Sequence, residues 1–170
     1  MKESKQFEGT TPPQERKTNE PKNFGEFLPR VANLTGRPIE ELKKSFGESW
    51  YNEEINTELL EKIENGTKEF IEWAALGEIG KYSHEEGKSK LADYEAVAMA
   101  MRAYKTAKIL EKQNPVLCAD HSKLEEKFNE FEKEMQKLEK VDTSENKIAR
   151  QILLQGRNAM AYLLDKNLAK

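Results

Sequence analysis

Two apolar stripes separated by a short polar break dominate the C-terminal end of this chain. Leu124, Phe128, Phe131, Met135 and Leu138 recur at alternating spacings of four and three, and Ile148, Ile152, Leu153, Ala159, Met160, Leu163 and Leu164 follow after Asp142-Thr143-Ser144. Such spacing places side chains on one face of an α-helix. Two helices joined by so few residues must run antiparallel. The apolar area of the hairpin is too large to leave in water, so both stripes are expected to be covered, by each other and by helices between Thr67 and Leu110.

The rest of the sequence carries helical punctuation. Phe24, Phe27, Leu28, Val31 and Leu34 share one face that ends near Gly36. Pro38 opens a second helix with Glu40 and Glu41 in its first turn, Lys43 and Lys44 in its last and Gly47 beyond, in keeping with the helix dipole. Asn52 is expected to cap a third helix through Ile55, Leu59, Leu60 and Ile63 that stops at Asn65-Gly66, and Thr67 to cap a fourth, central one through Phe70, Ile71, Trp73 and Leu76. A long helix follows from Ser83 or Ser89 to Asn114-Pro115, rich in alanine where neighbours can approach closely, and a loop at Val116–Asp120 leads into the hairpin. No segment shows sustained two-residue alternation. The expectation is an all-α bundle of six or seven helices over residues 23–170, preceded by a disordered tail, residues 1–22, whose prolines and scarce apolar side chains cannot offset ordering entropy.

Charge narrows the function. Charged residues make up 35% of the chain, but Glu and Lys interleave and the net charge is -3, the pattern of solvated helix faces and a poor match to a phosphate backbone. No general nucleic-acid binding is expected. Cys118 is the lone cysteine, and neither a cleavable signal nor an apolar membrane-spanning run is recognisable, so a cytoplasmic protein is the default, with non-classical bacterial export as the alternative.

Candidate chemistry is sparse. His84 and His121 lack a second histidine at metal-ligand spacing, and Cys118, Asp120 and His121 lie too close in sequence for a converging nucleophile, base and orienting group. In Glu69-Phe70-Ile71-Glu72 two carboxylates three residues apart share a helix face and suit one divalent cation. With Lys90-Leu91-Ala92-Asp93 further on, this stretch resembles the all-α nucleoside triphosphate pyrophosphatases of the MazG type. The resemblance covers residues 69–101 and implies magnesium-dependent nucleotide hydrolysis with Glu69, Glu72 and Asp93 as ligands, although Lys90 stands where the family has an acidic ligand. The leading expectation is a different one: a protein–protein interaction module, of adaptor, chaperone-like or regulatory type, without catalytic activity or cofactor. Phe128, Phe131 and Met135 are its candidate partner-binding residues, and a structural homo-oligomer built through the C-terminal hairpin, such as a homodimer, is a further alternative.

Overall fold

The helical expectation holds. The computed structural model, which describes residues 20–76 and 84–168, contains α1 (Phe24–Thr35), α2 (Ile39–Ser45), α3 (Thr57–Leu76), α4 (His84–Gln113), α5 (Pro115–Ala119), α6 (His121–Glu139) and α7 (Ser144–Leu168), with a 3-10 turn at Glu48–Trp50 and no strand among the described residues. The expected disordered tail falls outside the described residues except for residues 20–22, which join the domain.

Local chemistry accounts for most helix ends. At the start of α1 the side chain of Asn23 accepts from the Glu26 N–H at 3.0 Å, while the Phe24 and Gly25 N–H groups donate to the Glu53 and Tyr51 carbonyls, so its first amides have partners. Gly36 ends the helix in the left-handed conformation, φ 77°, with its N–H on the Ala32 carbonyl. Asn114 caps α5, with Pro115 opening that helix, where a loop was expected. Asp120 and Thr143 cap α6 and α7 through the Lys123 and Asn146 amides.

One expected boundary is absent. Asn65-Gly66 does not end a helix; α3 runs unbroken from Thr57 to Leu76 and is capped by Asn56, not Asn52. Gly66 serves packing instead: a Cβ there would lie 2.6 Å from the Tyr94 ring, which would have to shift to admit a side chain. Thr67 is not a cap, and its hydroxyl donates to the Ile63 carbonyl within the same helix. Nor is the second half of this helix central. Its principal neighbour among the described residues is α4, and Ile71 is 52% exposed, while the side chains of Trp73 to Leu76 lie outside the described residues.

The central element is α4, which packs against α1, α2, α3, α5 and α7. Ala96, Ala98, Ala100, Ala103 and Ala107 are all buried on it, as their small size allows. Phe24, Phe27, Val31, Leu42, Phe46, Ile63, Val97, Tyr162 and Leu163 complete the core. Asp93 of α4 is fully buried; its carboxylate accepts from Arg37 Nε at 2.7 Å and from Ser45 Oγ at 2.5 Å, tying the α1–α2 corner to the central helix.

Near the other end of the core, the Glu20 carboxylate binds Lys166 of α7 and lies 3.1 Å from Lys108 of α4, while Lys166 also donates to Glu111 at 2.7 Å. Burial alone would raise the Glu20 carboxyl, but hydrogen bonds and charge from Lys166 and Lys108 outweigh it and hold it below the usual carboxylate range. For Lys166 burial acts downward and is outweighed by Glu111 and Glu20, so the ammonium is lifted. A depressed carboxyl stabilises the fold above its unfolded pKa and loses that contribution as pH falls through the lower folded value; a raised ammonium stabilises below its unfolded pKa and loses it in strong alkali. Glu20→Gln should therefore lower the melting temperature at neutral pH, and the gap from wild type should close as pH drops below about 4.5. A gap in thermal melts that stays constant down the acid limb would show that Glu20 acts through packing alone.

The hairpin departs from expectation in its outer half. Helix α6 packs on α7 and α5, and only Leu124 of its stripe is fully covered; Phe128, Phe131, Met135 and Leu138 are half-buried. The helices between Thr67 and Leu110 do not cover the far part of α7, where Ile148 and Ile152 are 63% and 66% exposed. Among the described residues, none covers these two side chains.

Candidate functional site

Successive residues of a helix turn by about 100°, which places Ile148, Ile152, Ala159 and Leu163 within roughly 60° of one another on α7. Ala159 and Leu163 are buried in the core, whereas Ile148 and Ile152 face solvent. This face thus passes from the interior to the surface, with the exposed Gln155 between Ala159 and Ile152.

Beside that face lies a trough. One hollow of about 400 Å³ is bounded by Glu64 and Lys68 of α3, Met99 and Arg102 of α4, and Leu154 and Asn158 of α7. A second, of about 300 Å³, lies between Met135 of α6 and Ile148, Arg150 and Leu154 of α7. Gln151 and Leu154 border both, so the two hollows adjoin. The charges on the trough walls are largely matched internally: Arg102 binds Glu64 at 2.6 Å, and Arg150 and Lys147 lie 3.5 and 3.4 Å from Glu139 and Asp142. Exposed pairs of this kind contribute little to stability, and the first hollow offers a ligand polar partners in Thr67, Glu95, Gln155 and Asn158 beside its apolar contacts.

The three residues expected to bind a partner occupy two different settings. Phe128 lies under the Arg157 guanidinium, 5.0 Å from its ring centre, and Phe131 packs on Gly156, where a Cβ would come within 2.6 Å of the ring. Both therefore belong to the seam between α6 and α7, and Arg157 is further held by Glu132 at 2.6 Å. Met135 borders the trough. Sequence reasoning missed Met99, Gln151, Leu154 and Asn158 as wall residues, since three helices far apart in the chain bring them together. The one signal available was the stripe itself, which contains Ile148 and Ile152.

The carboxylates of the pyrophosphatase resemblance do not come together. Glu69 and Glu72 are exposed on α3, whereas Asp93 is enclosed with Arg37 and Ser45. Among the described residues no group of three or more His, Cys, Asp or Glu side chains is arranged to hold a metal ion. The residues around Cys118 are committed elsewhere too. Asp120 caps α6, His121 sits 3.0 Å from Glu125, and burial, with help from Glu111, pushes the Cys118 thiol up, away from the reactive thiolate. The side chain of His84 lies outside the described residues.

No known protein family, curated protein or solved structure matches this chain. No described helix is long and apolar enough to cross a membrane.

Proposed function

We propose that the chain is a protein-interaction module, an adaptor-like or regulatory helical bundle with no reaction of its own, which receives an apolar helix face of a partner in the trough and on the adjoining Ile148–Ile152 face. The observation that carries this reading is the exposure of Ile148 and Ile152 on the face of α7 that is buried two turns later. Covering a side chain of that size is worth about 1.5–3 kcal/mol, so a ligand that buries both gains a substantial part of a micromolar affinity. A trough walled by helices suits an amphipathic helix with apolar residues three and four apart. The engagement of Asp93 with Arg37 and Ser45, and of Asp120 as a cap, supports binding over the nucleotide-hydrolysing and thiol alternatives. The lone buried Cys118 supports a cytoplasmic setting.

The test is capture from an extract of the source cell by wild-type protein and by Ile148→Lys/Ile152→Lys, with a photo-crosslinking residue at Gln155 to report what lies in the trough. The double variant should change stability by less than about 1 kcal/mol, because both side chains are already in water, and should lose crosslinking to a partner. Equal crosslinking by both forms would overturn the reading. Sedimentation of wild type as a dimer and of the double variant as a monomer would instead assign the face to a second copy of the chain.

A further inference from the structure

A different surface, which shares no lining residue with the trough, carries its own recognition chemistry. Between the start of α3 and the second half of α4 lies a slot of about 250 Å³, floored by Ile55, Leu60, Met101 and Ile109. Its rim holds Lys105, Lys108 and Lys112 at positions i, i+3 and i+7 of one helix. Ile109, between two of these lysines, is 48% exposed.

Three cations on one face of a helix repel one another, and in a chain of net charge -3 nothing about overall solubility calls for them. The single acidic residue in this stretch, Glu111, is turned away and binds Lys166. Lys108 already shows what the rim accepts: it holds the Glu20 carboxylate at 3.1 Å from one side. Lys105 and Lys112, on the same rim, are exposed.

We propose that the lysine-rimmed slot is a second docking site, for a short acidic peptide segment of a partner that inserts one or two large apolar side chains between Ile55, Leu60 and Ile109 and sets its carboxylates against Lys105 and Lys112. The slot is smaller than the roughly 300 Å³ at which small-molecule sites begin, but matches side chains presented by a peptide. Its concave floor favours a peptide over a flat anionic membrane, and the overall negative charge of the molecule would oppose such a membrane at longer range.

The experiment is selection of a displayed random peptide library on the immobilised full chain, followed by fluorescence anisotropy with the enriched peptides. Enriched sequences should combine bulky apolar residues with flanking Asp or Glu, bind at least tenfold more weakly to Lys105→Glu/Lys112→Glu, and weaken steadily with added salt. Ile148→Lys/Ile152→Lys should bind them unchanged, which separates this site from the trough. Circular dichroism melts of the Lys variants control for folding, and Lys105→Gln/Lys112→Gln provides a milder second variant expected to show an intermediate loss. Enrichment of peptides without acidic bias, failure to enrich any, or equal binding by the Lys→Glu variant would overturn the proposal. So would stronger binding to phosphatidylglycerol vesicles than to peptides, or salt-sensitive dimerisation abolished by the same substitutions.

Discussion

Phe46→Ala should lower the unfolding free energy by about 3–5 kcal/mol, the range for deleting a fully buried aromatic ring. Phe46 follows α2 directly, is completely buried, and meets Phe24, Trp50 and Tyr94 at ring-centre distances of 5.1, 5.3 and 4.5 Å. Those three rings belong to α1, the 3-10 turn and α4, so the cavity left by the substitution is walled by side chains anchored on separate elements. None can move in without giving up its other contacts, such as the 5.1 Å approach of Tyr94 to Phe70. For a chain of this length each kcal/mol shifts the melting temperature by roughly 2–4 °C, so thermal unfolding should fall by about 6–20 °C. Phe46→Leu, which refills most of the volume, should recover more than half of the loss. A shift of less than about 2 °C in Phe46→Ala would mean that the α1–α2 corner can collapse, and that the aromatic cluster does not join it firmly to α4.

Arg37→Ala should have an effect of similar size for the opposite chemical reason. Asp93 is wholly inaccessible and is held by Arg37 and Ser45, whereas Arg37 retains 29% side-chain exposure and also reaches Ser89 Oγ at 3.2 Å. Removing the arginine leaves a buried carboxylate with one hydroxyl donor, a loss of about 3–5 kcal/mol for a broken buried pair. The pair itself need not be stabilising relative to apolar packing, because both ions gave up hydration to form it. The double variant Arg37→Met/Asp93→Leu should therefore regain most of the stability lost in the single substitution. Urea unfolding of wild type, both single variants and the double variant closes the cycle. A loss of less than about 1 kcal/mol in Arg37→Ala would show that the carboxylate finds other donors, and the corner would then be held by its aromatic rings.

The helices and most of their ends were legible in the sequence because capping is decided within a few residues. Gly36 and Asn114-Pro115 act within four positions, so the helix ends they mark were readable without the fold, whereas the Asn23, Asp120 and Thr143 caps are just as local and went unread. The short connection from α6 to α7 is of the same kind and determined the antiparallel hairpin. Asn65-Gly66 looked like another such signal and was not, because the glycine answers to the Tyr94 ring, twenty-eight positions further along the chain.

The candidate site was readable only in part for the same physical reason. Periodicity determined that Ile148, Ile152, Ala159 and Leu163 share one face of a helix, and that the chain must build an all-α bundle. It could not determine which turns of that face would be covered, since burial depends on what other elements place opposite each residue. Tertiary structure decided that Phe128 and Phe131 close the hairpin seam while Ile148 and Ile152 stay exposed, and it placed Asp93 in a buried ion pair far in character from the open carboxylates of Glu69 and Glu72. Local hydrogen bonds and helical period act over three or four residues and are written in sequence order; coverage and ion pairs that join α1 to α4 and to α7 exist only once the helices have packed.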